Sequence, residues 1–394
     1  MKTDTTQNNI PHGWRETNLG SIADLYQPQT ISKTQMLSDG EYLVFGANGI
    51  IGKYDRFNHE DSEVIVTCRG ASCGSISMTP KQAWITGNAM VIKVDENKVI
   101  KPYIYYFLNN SDLNSVISGG AQPQITRQPI SAYKILFPES KTEQQKIAEI
   151  LRMVDEDIAK TQEVIGATEK LKRGLMQQLF TRGIGHTKFK ETELGEIPAE
   201  WEAVKLGDIG TNYIGLTYSP KNVTDDTGTL VLRSSNVQDG HISYGDNVYV
   251  DSKILEHLIT RKGDILLCTR NGSRNLIGKC AFIDANSAGH SFGAFMSVYR
   301  TKYSDFIFQV FLSDIFKNQI NKFLGATINQ ITNSSLNSFI VPLPPVGEQN
   351  EIVRILSSVD EKISVNKKLK EKLTLLKKGL MQDLLSGKVR TIIN

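Results

Sequence analysis

The sequence lacks almost every feature that would announce an activity. It has no continuous apolar run of about 18 residues, so no membrane-spanning helix is expected. Its polar start, Met1 to Asn9, does not resemble a signal peptide. Four cysteines (Cys68, Cys73, Cys268 and Cys280) are too few to staple 394 residues, which excludes a disulfide-framed secreted fold and makes a cytoplasmic protein the expectation. Cys68 and Cys73 have no second cysteine or histidine pair at zinc spacing, and the six histidines are scattered, so no metal site is expected. Neither H-E-x-x-H nor the Asp/Asn-Pro-Pro-aromatic tetrad of amino-methyltransferases occurs; G-x-S-x-G spacing is met at Gly70 to Gly74 and Gly289 to Gly293, five-residue matches that do not by themselves make a triad. Gly46 to Lys53 and Gly272 to Lys279 look briefly like phosphate loops. Their glycines stand six rather than five apart, and Tyr54 and Cys280 replace the hydroxyl that would ligate magnesium. Each is a tight hairpin turn or a loop that approaches a phosphate backbone. Bulk charge is missing as well. The net charge is +3, and residues 1–141 and 198–347 each carry 13 basic and 13 acidic side chains. Any nucleic-acid site must therefore rest on local patches. A chain this long without a catalytic constellation is expected to bind or to scaffold.

What is present is a repeat. One stretch begins Glu143-Gln144-Gln145-Lys146-Ile147 and closes Lys172-Arg173-Gly174-Leu175-Met176-Gln177. It returns as Glu348-Gln349-Asn350-Glu351-Ile352 and Lys377-Lys378-Gly379-Leu380-Met381-Gln382, at one offset of 205 residues (143 to 348, 172 to 377). Within each copy Ile147, Leu151, Val154, Ile158, Val164, Leu171, Leu175 and Leu179 answer to Ile352, Leu356, Val359, Ile363, Leu369, Leu376, Leu380 and Leu384. Steps of three and four, counted through polar Thr161 and Thr168, make this the stripe of one long helix. Forty helical residues span about 60 Å, and so narrow a stripe needs a partner helix, which each copy offers the other. The expected interface is Ile147, Leu151, Val154, Ile158, Leu171 and Leu175 against Ile352, Leu356, Val359, Ile363, Leu376 and Leu380. Thr142 is the expected cap of the first helix, with Gln145 three residues on. Thr161 and Asn366 leave the centre of the stripe polar, which either fixes register or reflects access to solvent. The last segment, 348–394, has 10 basic against 6 acidic residues. Its Lys367, Lys368, Lys370, Lys372, Lys377 and Lys378 form a solvated face or contact DNA or an acidic partner.

The repeat extends upstream. Pro11-His12-Gly13-Trp14 leads to Leu19-Gly20, and Pro198-Ala199-Glu200-Trp201 to Leu206-Gly207, at an offset of 187 (11 to 198, 19 to 206). The second globular segment is thus longer by 205 less 187, or 18 residues. The expected organisation is a globular domain at 1–141, a helical region at 142–183, a linker at 184–197, a second globular domain at 198–345 and a second helical region at 346–394. The fold class is α+β, with two mixed α/β domains, two long helices packed as an antiparallel coiled coil, and a pseudo-two-fold internal repeat. Antiparallel packing needs only a compact domain at each end and brings Asn394 near Met1. Within the domains, Val64 to Cys68 and Asp264 to Cys268 read as strands, as do Met90 to Val94 and Phe295 to Tyr299. Pro102 to Ile117 and Asp305 to Leu324 read as helices, with Ser304 as a cap. Gly119 to Thr126 answers to Gly325 to Thr332.

Loops at matching places carry side chains suited to nucleic acid. The first domain offers Asn48, Lys53, Arg69, Ser72, Gln122, Gln124 and Arg127. The second offers Tyr218, Lys221, Arg233, Ser234, Asn236, Arg270, Asn271, Arg274, Asn329 and Gln330. Arginine, asparagine and glutamine make bidentate contacts to base edges, and lysine and serine suit phosphates.

Two Pro-x-x-Trp…Leu-Gly openings, two variable segments and two helices that begin Glu-Gln and end Lys/Arg-Gly-Leu-Met-Gln resemble the specificity subunit of a type I restriction–modification system. Pro342-Leu343-Pro344-Pro345 before the second helix is a further mark; the first copy departs there with Phe137-Pro138-Glu139-Ser140. The resemblance implies that each globular segment reads one half of a split, asymmetric target in double-stranded DNA. The helices would set the unread spacer and dock two modification subunits, which methylate adenine with S-adenosylmethionine, and restriction subunits would add an ATP-dependent nuclease. S-adenosylmethionine, ATP and magnesium would belong to those partners; this chain would bind none and catalyse nothing. The competing expectation is a two-domain scaffold that binds protein without reading DNA.

Overall fold

Each copy of the opening motif closes on itself in the same way. The Trp14 amide donates to Pro11 O and the Trp201 amide to Pro198 O, both at 3.0 Å. The strand that follows, Trp14–Asn18 or Glu202–Lys205, pairs antiparallel with Lys134–Pro138 or Ile340–Leu343. Each of those partner strands runs directly into a long helix, so the motif is tied to the helix start. Leu19 and Leu206 are buried behind it. Gly20 has to be glycine, because a Cβ there would stand 1.9 Å from Ser131 Oγ.

The computed structural model describes residues 10–47, 49–324 and 329–391. The expected approach of Asn394 to Met1, and the segment Gly325 to Ile328, lie outside the described residues. The chain forms two compact units, Met1–Glu163 with Lys367–Asn394, and Val164–Asn366. Among the described residues no helix is long and apolar enough to cross a membrane.

The units share a topology. In the first, a four-stranded antiparallel sheet runs in the order Ala23–Tyr26, Ala89–Val94, Val64–Thr67, Ile76–Met78. In the second the order is Gly210–Ile214, Met296–Thr301, Ile265–Cys268, Cys280–Phe282. The strands Val64–Thr67 and Ile265–Cys268 are buried at every position, which is why they read as unbroken apolar runs. A smaller sheet accompanies each: Gly49–Tyr54, Tyr42–Gly46 and Trp84–Ile85 in the first unit, and four short strands around Thr229–Leu232 in the second.

Several helix boundaries differ from those expected. The helix expected over Pro102 to Ile117 is Lys101–Asn109 and ends in a turn. The one expected over Asp305 to Leu324 is two helices, Ser304–Leu312 and Asp314–Phe323, broken at Ser313, whose backbone is extended. Ser304 lies inside the helix, and Tyr303 holds the cap position.

The long helices are Lys141–Thr181 and Val346–Leu385. Thr142 is not the cap of the first, because the helix starts one residue earlier; the Glu143 amide donates instead to Ser140 Oγ at 3.4 Å. Within the first unit their segments run antiparallel, with Glu143 paired to Arg390, Asp155 to Lys377 and Gln162 to Lys370. Within the second unit they also run antiparallel, with Lys172 paired to Asp360 and His186 to Glu348. Lys370 and Lys377 therefore hold the helix pair together, a role the sequence did not distinguish from a solvated face.

The seam lies slightly off the expected stripe. Ile147, Leu151, Ile352 and Leu356 are buried in their cores, with Leu175 and Leu380 packed at the edges. Ile363 is buried, and Val154, Ile158 and Val359 are half-buried. Leu171 and Leu376 are not on the seam, being 57% and 51% exposed, and Val164 and Leu369 are exposed too. Thr161, Ile165 and Thr168 occupy the seam instead. The threonine hydroxyls donate to the carbonyls of Asp157 and Val164, four residues back, so the polar centre is satisfied inside its own helix. Asn366 does the same with Lys362 O.

The Glu-Gln pair that opens each helix has a structural reason. Gln144 Nε2 donates to Pro138 O and Gln349 Nε2 to Pro344 O, each tying helix to incoming strand. Glu143 and Glu348 receive the chain that leaves the other helix. Arg390 grips Glu143 through Nε and one terminal nitrogen at 2.6 and 2.8 Å. Glu348 accepts from His186 Nε2, from the Ile184 amide and from Trp201 Nε1, at 2.8–2.9 Å.

Candidate nucleic-acid interface

The candidate side chains are positioned by the loop that leaves the central buried strand. In the first unit the chain passes from Cys68 to Arg69, and Ile125 N–H donates to Cys68 O at 3.0 Å, which brings Arg69 against Gln124 as an isolated antiparallel bridge. In the second, Ile331 N–H donates to Thr269 O at 2.8 Å, and Arg270 meets Gln330 in the same bridge. An arginine and a glutamine thus meet, at backbone level, at one equivalent place in each unit. The loops following the two arginines close alike, with Gly74 N–H donating to Thr67 O and Gly278 N–H to Cys268 O.

The second unit builds further on this bridge. The Asn271 amide donates to Asn329 O, Asn329 Nδ2 to Gly272 O, and Asn271 Nδ2 to Ser234 Oγ. The Arg270 guanidinium lies 5.1 Å from the centroid of the Phe295 ring. Arg270, Asn271, Ser234, Asn329 and Gln330 therefore form one cluster. In the first unit Ser72 Oγ donates to Ala47 O beside the turn that precedes Lys53, and Lys53 is exposed on Gly49–Tyr54. Gln122 is exposed on a turn fixed by Gly119, whose left-handed φ of +89° suits only glycine.

Other candidates are placed differently. Asn48 lies outside the described residues. Arg127 pairs with Asp24 at 3.0 Å, and Arg233 with Asp246 at 2.8 Å. Asn236 is fully buried and does not face solvent. Its amide donates to Ser243 O, Asp246 O and Asn247 Oδ1, while its carbonyl accepts from the Arg233 amide. It holds the 243–247 loop from within. Arg274 lines a groove of about 530 Å³ with Asp239, Lys279 and Lys317. Tyr218 precedes the cap residue Ser219 and Lys221 lies within the turn Pro220–Asn222; Lys221 is exposed and Tyr218 half-buried. Phe295, missing from the sequence candidates, read there only as the first residue of a strand.

Among the described residues no three histidine, cysteine, aspartate or glutamate side chains gather as a metal site. Burial pushes the Cys68 and Cys268 thiols up to about 11 and that of Cys280 up to about 12. Protonated thiols are poor nucleophiles. Burial pushes the Cys73 thiol up as well, but that side chain is only half-buried. Iodoacetamide at pH 8 is therefore expected to label Cys73 before the other three in the folded protein and all four cysteines after denaturation; native labelling of Cys68 or Cys268 as fast as Cys73 would contradict this packing.

Comparison with known proteins places these features in context. The profile described as the type I restriction modification DNA specificity domain matches residues 11–165 and 198–375. The MjaVIII type I restriction enzyme specificity subunit of Methanocaldococcus jannaschii is 29% identical, over 97% of this chain and 94% of its own length. The putative MjaX specificity subunit of the same organism is 31% identical over 77% of this chain and 71% of its own. A crystal structure of the type I S subunit from M. genitalium shares the fold, with a TM-score of 0.64 at 18% identity, covering 99% of this chain and 98% of that one.

Proposed function

This chain belongs to the family of type I restriction–modification DNA specificity proteins, and on that premise we propose that its two globular parts each read one half of a split DNA target. The observation that carries the proposal is the Arg–Gln bridge formed once in each unit, Arg69 with Gln124 and Arg270 with Gln330. Arginine suits guanine O6 and N7, and glutamine suits adenine N6 and N7. The surrounding loops differ between units in length and sequence, so the two half-sites differ.

As a specificity subunit the chain works with modification and restriction subunits and DNA. We place the modification subunits, two in number, on the helices. Leu171 and Leu376 are exposed at equivalent positions, each three residues before a glycine, Gly174 or Gly379, at which an added Cβ would meet nothing within 4 Å. A glycine inside a helix costs about 1 kcal/mol relative to alanine, and among the described residues no neighbour requires it at either position. An apolar side chain beside a bare backbone suits close approach by another protein, and two copies of the feature suit two copies of one partner. In this reading the partners bring S-adenosylmethionine, ATP and magnesium, and this chain positions them without catalysing.

The helices set the spacer. Four residues inserted after Glu163 and four after Lys368 would add about 6 Å to each helix. Four residues also depart little from half a heptad, which limits disturbance of the seam. At about 3.4 Å per base pair, the methylated motif is expected to gain one or two spacer pairs and keep both half-sites. Sequencing methylated adenines in cells carrying this variant reads the result; an unchanged spacer in an active complex would refute the measuring role.

A further inference from the structure

The two bridges differ in a neighbouring residue, the one just ahead of the strand Ala89–Val94 or Met296–Thr301. In the first unit the Cys68 amide donates to Asn88 O at 2.9 Å. At the equivalent place in the second unit the Thr269 amide donates to Phe295 O at 3.1 Å. The Arg270 amide and the Thr269 hydroxyl donate to the same oxygen, at 3.1 and 3.3 Å. Three donors hold the Phe295 backbone, and the next residue, Met296, is anchored in the core. Phe295 as a residue is nonetheless 55% exposed. Its position is thus fixed, while much of its apolar surface faces solvent beside Arg270.

We propose that Phe295 determines specificity in the second domain by packing against the 5-methyl group of a thymine next to the base that Arg270 contacts. The proposal rests on the reading that the Arg270–Gln330 face meets DNA. Three features favour a methyl contact. Phenylalanine is among the side chains that suit the thymine methyl in the major groove. Insertion between base pairs needs both faces of a ring, and the Arg270 guanidinium lies over one of them. Stacking also restrains the guanidinium, which favours a fixed register between arginine and ring. The first domain has Asn88 at this place, a side chain suited to adenine rather than to a methyl group. One position would then help to make the half-sites unlike.

The test uses the full chain assembled with its modification subunits and a duplex carrying the target found by methylation mapping. Each thymine of the second half-site is replaced singly by deoxyuridine, which removes only the methyl group. For the unaltered protein, one replacement is expected to weaken binding about four-fold, the effect of one buried carbon. With Phe295→Ala, binding to the unmodified duplex is expected to fall by a similar factor and that replacement to have no further effect. Arg270→Ala serves as the control for the face itself. If Arg270→Ala alters the second half-site while the deoxyuridine effect survives in Phe295→Ala, or if that half-site has no thymine-methyl dependence, the inference is overturned and the face stands. If neither variant alters second-half-site binding, the reading of the face fails.

Discussion

Replacing Glu348 by alanine is expected to destabilise the second unit by about 3 kcal/mol, because the Trp201 indole N–H and the Ile184 amide lose their carboxylate acceptor and His186 its partner. For a unit of this size the unfolding midpoint should fall by roughly 6–12 °C. Trp201 is fully buried, so water replaces its lost bond poorly. Glu348→Gln keeps one oxygen for the indole or the amide and should recover about half the loss. The equivalent change, Glu143→Ala, should cost less, about 1–2 kcal/mol. Its partner Arg390 is partly exposed and regains water, and Trp14 Nε1 has no hydrogen-bond partner among the described residues in the first place. Thermal or urea unfolding of the three variants checks the order; equal losses at Glu143 and Glu348 would show that the buried indole contact contributes little.

The contrast shows what was legible in the sequence. Glu-Gln recurs at a fixed offset because each residue makes the same kind of contact twice, the glutamine to the incoming strand and the glutamate to the chain leaving the other helix. The helices were therefore readable from spacing. The phase of the seam was not. Val164, Leu171, Leu369 and Leu376 are apolar and step correctly, yet they face outward, while Thr161 and Thr168 lie on the seam with hydroxyls satisfied four residues back. Polarity alone cannot separate a threonine that bonds its own helix from one that needs solvent.

The candidate interface was legible to a similar extent. Arg69, Gln124, Arg270 and Gln330 came from loops aligned by the repeat, and the units bring each pair together. Asn236 carries the same kind of side chain in an equally polar loop. Its burial depends on the path of residues 243–247, and no spacing reveals that path. Phe295 escaped notice because an aromatic residue at the start of an apolar run reads as core. Its exposure follows from the bend at which Thr269 and Arg270 both bond its carbonyl.

The second large effect follows from independent reading by two domains. Residues 15–134 run from the strand that follows Trp14 to Lys134, the first residue of the strand that feeds the first long helix, so a relative's equivalent segment can replace them without touching the Glu143 or Arg390 contacts. Every base-reading candidate of the first domain lies inside that segment, and none of the second domain's does. Because a mismatched base pair typically costs about 1–3 kcal/mol, a half-site altered at several positions is expected to abolish methylation of the original target. Methylome sequencing of cells that carry the chimaera and its modification subunits is the most direct test. The account predicts a motif with one new half-site, the other half-site unchanged and the spacer retained; a motif altered in both halves, or unaltered in either, would contradict it.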